Sequence, residues 1–216
     1  MLLIFGCSKS VNISNLKTKN GLVYLPHSSD TFSGNFYEND ANGNKKIEGI
    51  YENGILRNRT EYRKSGYNLF TEFYDNGNKK TEYFIISKEL WKLRKYNGPR
   101  YDSSFTSWYQ NYNMKEKGTY NRGKKDGLWN RWYKDGQKEL ERTFNNGKGE
   151  GLAIIWYENG QKNREWNLKD GLKDGLWTEW YDNGQKMTEG TYKDGELISK
   201  KEWNEDGSVK ERIIKL

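Results

Sequence analysis

Apolar and polar positions in the second half of this chain follow a fixed rhythm. The run Gly175-Leu176-Trp177-Thr178-Glu179-Trp180-Tyr181 is closed by Asp182-Asn183-Gly184-Gln185-Lys186. One step of 24 residues back, Gly151-Leu152 leads to Trp156-Tyr157-Glu158-Asn159-Gly160-Gln161-Lys162. One step further, Gly127-Leu128-Trp129 leads to Trp132-Tyr133-Lys134-Asp135-Gly136-Gln137-Lys138. Self-similarity at such a period marks an array of structural repeats. Gly136, Gly160 and Gly184 form one series of turn glycines, and Gly123, Gly147, Gly171 and Gly195 a second. The two alternate, which leaves room for strands of about 5–7 residues. Glycine returns too often for a helix of ordinary length.

Asn183-Gly184 between two strand-like runs predicts a type I′ hairpin turn, in which both central residues take positive φ. Lys193-Asp194-Gly195 predicts the next turn. The expected fold class is all-β: an elongated antiparallel meander of stacked β-hairpin repeats of about 24 residues, forming a single-layer repeat sheet, with each repeat adding roughly 9–10 Å. Alternation along a strand sends Leu176, Thr178 and Trp180 to one face and Trp177, Glu179 and Tyr181 to the other. Trp132, Trp156 and Trp180 then stack as one column that packs neighbouring repeats together. Tyr109, Tyr133, Tyr157 and Tyr181 stack as another.

Composition changes the picture only slightly. Hydrophobic residues make up 33% of the 216 residues, a value that by itself suits disorder, but aromatics reach 15%. Nine Trp and sixteen Tyr supply contact area without a thick aliphatic core. No apolar run reaches the 18 residues of a membrane span.

The chain divides into four stretches. Residues 1–10 contain Ile4-Phe5-Gly6-Cys7, which resembles the end of a bacterial lipobox with Cys7 as the lipidation site; the basic and apolar regions of a full signal do not precede it. An apolar start with one free cysteine is the alternative. Residues 11–33 form a lead-in or cap. Residues 34–198 hold the hairpin repeats, with Phe36, Phe73, Trp108, Trp132, Trp156 and Trp180 as unit heads and a three-residue expansion before Gly43. Residues 199–216, with Trp203, hold an eroded terminal repeat. An irregular insert, 87–100, carries five basic residues and one acid, and either serves function or is a solvated longer hairpin. The net charge of +7 is concentrated there and towards the N-terminus. The repeats are close to neutral, with alternating Lys and Glu columns, which argues against a nucleic-acid track.

The pattern Gly-Leu-Trp…Trp-Tyr-Asp-Asn-Gly-Gln-Lys…Glu-Gly-Thr-Tyr-Lys-Asp-Gly resembles the bacterial variant of the MORN repeat, over about 34–210 and most closely over 118–198. That resemblance implies antiparallel hairpin repeats and a binding role, in the version attached to toxin–antitoxin systems an antitoxin or immunity role. A more distant likeness is to aromatic hairpin repeats that bind cell-wall choline.

One His and one Cys exclude most His- and Cys-based catalytic sets, His27 beside Pro26 reads as a loop residue, and neither a nucleotide loop nor a metal-ligand cluster is evident. No enzyme activity, cofactor or metal is therefore expected. The expected function is a scaffold for a protein partner, with a toxin as the specific version. The alternative is an envelope-anchored module that binds wall glycan or lipid headgroups through aromatic columns. Candidate partner-binding residues are Trp91, Lys92, Arg94 and Lys95 in the basic insert and Tyr109, Tyr133, Tyr157 and Tyr181 in the tyrosine column. Localisation follows Cys7: the cell envelope if it is lipidated, the cytoplasm otherwise.

Overall fold

The computed structural model describes residues 10–63, 67–86 and 101–210. The chain divides after Tyr112 into two units, and within each the strands of the main sheet neighbour one another in chain order from its second strand onward. The all-β expectation holds. The described residues contain no α-helix, and the one helical turn is a 3-10 turn over Ile13–Asn15.

The first unit contains β1 (Val11–Asn12), β2 (Lys17–Lys19), β3 (Leu22–Tyr24), β4 (Gly34–Asn39), β5 (Lys45–Glu52), β6 (Ile55–Glu61), β7 (Tyr67–Phe73), β8 (Lys79–Ile86) and β9 (Tyr101–Trp108). β1 runs parallel to β4, with Val11 opposite Phe36, and β2 and β3 form a separate small hairpin. Val23, Phe32 and Phe36 are buried together, and Ile13, Leu16, Ile47, Tyr51 and Leu56 pack around them. Burying each such side chain contributes about 1.5–3 kcal/mol. The amide of Val23 donates to Gly54 O at 3.1 Å, and the amide of Gly54 to Phe32 O at 2.8 Å, so 22–32 is tied by backbone to the end of the first repeat.

β4 and β5 form the first hairpin. The amide of Gly43 donates to Asp40 O and that of Asp40 to Asn44 O, the same bonds that Gly184 and Tyr181 make in a later repeat. This corrects the expected three-residue expansion: the turn has ordinary length, and Asn39 stands where later repeats carry Trp. The next irregularity is real. β6 is followed by Tyr62, whose amide donates to Lys46 O as Trp203 donates to Met187 O, so β6 is a first strand of its repeat. β7, ending in Phe73 with Tyr74 next, is a first strand too. With a second strand missing between them, Arg59 of β6 lies opposite Thr71 of β7, while Thr60, its neighbour, lies opposite both Glu48 and Phe70. Paired residues share a face, so the repeat changes face at this point. Phe36, Gly49, Arg59, Thr71 and Glu82 fall on one side, and Glu48, Thr60, Phe70, Tyr83 and Phe105 on the other.

The second unit contains β10 (Met114–Asn121), β11 (Lys124–Trp132), β12 (Lys138–Asn145), β13 (Lys148–Trp156), β14 (Lys162–Lys169), β15 (Leu172–Trp180), β16 (Lys186–Lys193) and β17 (Glu196–Glu202), all antiparallel. Its turns correct the predicted type I′ assignment at Asn183-Gly184. Gly184 has φ 85°, but Asn183 is not among the residues of positive φ. Gly184 N–H donates to Tyr181 O at 3.0 Å and Tyr181 N–H to Gln185 O at 2.8 Å, a type I turn closed by a glycine bulge. The reason is local: Asn183 Oδ1 accepts the Gln185 amide at 2.9 Å, holding the asparagine at negative φ. The type I′ turns are the others, such as Asn146-Gly147 with φ 50° and 88°.

One row crosses the middle of this unit: Trp129, Arg142, Ala153, Trp166, Trp177 and Gly190 stand opposite one another in turn. Two large residues are followed by one small one, twice over. Trp129 is 2% exposed, and a Cβ on Gly118 would come within 2.2 Å of its indole ring. A strand glycine here admits a ring across the backbone. Ala153, Trp166 and Leu168 form the buried cluster of this face, with Leu140, Ile155 and Trp177 against it.

Candidate functional site

Three arrangements recur with the repeat, and together they decide which surface is left open. The first is built on the lysine that follows each bulged turn. Lys138 pairs with Glu141 at 2.6 Å, three residues on, because those side chains share a face of β12 around its bulge. Its ammonium also lies 5.6 Å from the centre of the Trp156 ring in the next repeat. Lys162 with Glu165 and Trp180 repeats the set, as do Lys186 with Glu189 and Trp203, and Lys79 with Glu82 and Trp108 in the first unit. Tyr62 replaces Trp in the earliest copy, over Lys45, and its hydroxyl donates to Glu48. There burial pushes the Glu48 carboxyl up, but the bonds from Lys45 and Tyr62 outweigh it and hold the group below its ordinary value. The tryptophan column packs neighbouring repeats, as its spacing implies.

The second arrangement engages the tyrosine column. Tyr133 donates from its hydroxyl to Trp156 O at 2.6 Å, Tyr157 to Trp180 O at 2.7 Å and Tyr181 to Trp203 O at 3.0 Å. Tyr74 makes the same bond to Trp108 O in the first unit. Each tyrosine therefore clasps the backbone of the following repeat and is partly covered by it. Burial, then the neighbouring Glu139 and Glu158 carboxylates, raises the Tyr133 phenol above its usual value. Tyr109 belongs to the first unit and is half-buried. The column thus joins repeats along its length, and its members do not converge on one point. Beside it, Asn159 donates to Asp182 O at 2.8 Å and Asn183 to Glu205 O at 3.1 Å, linking successive turns.

The third arrangement fills the aromatic face. Lys173 Nζ lies 3.4 Å from the Trp177 ring centre and 4.4 Å from that of Tyr192. Lys125 Nζ lies 3.7 Å from that of Trp129. Rings that could cage a quaternary ammonium ligand already hold ammonium groups of the chain itself.

The opposite face keeps an open apolar row. Leu128, Leu152 and Leu176 sit at the same place in three consecutive repeats and are 51%, 47% and 48% exposed. Their partners across the strands are Thr143, Asn167 and Thr191, too short to cover them. Spacing between equivalent strands is roughly 9–10 Å, so the row is a regular ridge. The row was not singled out from the sequence, although Gly-Leu recurs in every strong repeat.

Of the other sequence-derived candidates, Cys7, Trp91, Lys92, Arg94 and Lys95 lie outside the described residues. His27 is exposed in a loop, with φ 63°. No group of three His, Cys, Asp or Glu side chains positioned for a metal occurs among the described residues. No described helix is long and apolar enough to cross a membrane.

Three consecutive segments, 125–146, 149–170 and 173–194, match the MORN repeat variant family model. Each begins in one first strand and ends in the turn after the second, so the match follows the hairpin unit seen in the structure. Repeats of this family serve as binding or scaffold modules. No curated protein matches the chain.

Proposed function

We propose that this protein is a non-catalytic repeat scaffold that holds a protein partner against its sheet, and that the partner is a toxin whose action the scaffold blocks. The observation that carries the reading is the leucine ridge. Three half-exposed leucines at one repeat position form an apolar row that the fold does not use, and such rows on soluble proteins serve as contact surfaces. The aromatic face supports a protein partner over a choline-like ligand, because its rings are covered by Lys125 and Lys173. The resemblance to repeat proteins of toxin–antitoxin systems supports the narrower version.

Affinity capture from the native cell, read by mass spectrometry, tests the reading. The wild-type chain should enrich a protein that a Leu128→Asp, Leu152→Asp, Leu176→Asp variant, still folded by circular dichroism, does not. Equal recovery by both proteins removes the ridge as the contact surface. For the toxin version, co-expression should relieve the growth arrest caused by the captured protein; a captured protein that arrests nothing ends it.

A further inference from the structure

On the face opposite the leucine ridge, the middle repeat departs from its neighbours at two linked positions. Gly149 stands where the flanking repeats carry Lys125 and Lys173, and Ala153 where they carry Trp129 and Trp177. Losing a caged lysine and its ring leaves space on β13 that the side chains of Arg142 and Leu168 take up. Arg142 of β12 stands opposite Ala153 and extends over Gly149. Its guanidinium lies close beside Gly149, where an added Cβ would come within 2.2 Å of Nη2 and 2.6 Å of a Leu168 methyl. The Phe144 ring flanks it, 4.7 Å from ring centre to guanidinium carbon.

Four other long cations of this face hold carboxylates. Lys125 pairs with Glu116 at 3.0 Å, Arg131 with Glu139 at 2.8 Å, Arg164 Nε lies 2.7 Å from Glu179 although poorly aligned for a hydrogen bond, and Lys200 pairs with Glu202 at 2.8 Å. Arg142 forms no ion pair among the described residues, and its Nε is buried with no acceptor. Lys173, across Leu168, is matched only by aromatic rings. Burial lowers the Arg142 pKa from the usual arginine value without any acid to offset it. A guanidinium without a carboxylate partner is a receptor for a planar two-oxygen acceptor.

We propose that Arg142 receives a carboxylate, the side chain of an aspartate or glutamate in an acidic segment of a partner protein, seated on its guanidinium between Phe144 and Leu168. Charge selects the occupant: the two cations of this face without an acid, Arg142 and Lys173, lie on either side of Leu168. The site does not depend on the leucine ridge and stands whether or not that ridge binds.

Titration of the full chain with hexaglutamate and with hexaglutamine, followed by calorimetry, tests the assignment. Hexaglutamate should bind and hexaglutamine should not. Arg142→Gln should weaken hexaglutamate binding by about tenfold or more, the size expected for losing a two-donor charged contact, while Lys124→Gln, which removes an exposed cation elsewhere, should change it less than about twofold. Arg142→Lys, which keeps the charge and most of the packing but loses the planar fork, should weaken binding as well and decides the matter if Arg142→Gln unfolds. Unchanged binding in a folded Arg142 variant, an equal loss in Lys124→Gln, or no hexaglutamate binding by the wild type would each overturn the proposal.

Discussion

Tyr112 occupies the turn position that glycine fills in the neighbouring repeats. Its φ is 68°, and its amide donates to Tyr109 O at 3.1 Å, as Gly136 does to Tyr133 O. A bulky residue in the left-handed region costs about 1 kcal/mol or more, and its ring, 72% exposed, recovers little by packing. Tyr112→Gly should therefore raise stability by about 0.5–1 kcal/mol, measured as an upward shift of the denaturation midpoint; a lower midpoint would show that the ring contributes contacts larger than the strain. At this scale the sequence is legible in one respect and misleading in another. Glycine positions mark every described turn of the strong repeats. Turn type does not follow from Asn-Gly alone, because whether the asparagine side chain caps the amide two residues on decides between the type I bulge at Asn183 and the type I′ turn at Asn146.

Repeats are joined to one another by hydrogen bonds that a single hairpin cannot make. Tyr157 illustrates this: its hydroxyl serves the carbonyl of Trp180, and nothing within its own hairpin. Tyr157→Phe should lower stability by about 0.5–1.5 kcal/mol, the net worth of one such bond, with little change in the far-ultraviolet spectrum. A variant as stable as wild type, by urea titration, would mean that water replaces the phenol without loss. Strand positions, the hairpin period and the tryptophan packing column could all be read from spacing. The tyrosine clasp could not, because strand alternation places a side chain on a face but does not tell which neighbouring carbonyl it reaches. The setting of Arg142 left a trace that alternation also misses: it shows only when Gly149 and Ala153 are compared with the residues one period away on either side.

For the whole molecule, titrating groups set the pH limits of stability. Tyr51 and Tyr133 are raised above the ordinary phenol value, chiefly by burial. Their neutral forms are favoured in the folded chain, so the stability they contribute is complete below about pH 10 and lost as pH rises through their folded values. Glu48 is held below the ordinary carboxyl value, so its contribution is present above about pH 4.5 and lost as pH falls through its folded value. Melting temperature should be level from about pH 6 to 9 and fall on both sides, and Tyr133→Phe should flatten part of the alkaline fall. An alkaline fall of the same slope in that variant would remove Tyr133 from the account. The change of face between β6 and β7 has a consequence for how such arrays grow. Two strands are the reading frame of this sheet. Duplicating or deleting a whole hairpin keeps the frame, so every later tryptophan and leucine is presented to the same side as before. Removing one strand, as between Tyr62 and Tyr67, is a frameshift written in space: everything downstream in that unit is intact in sequence and strand pairing, yet is shown to the opposite side. Gene events of half a period can thus exchange the two faces of a binding sheet without altering a residue in either.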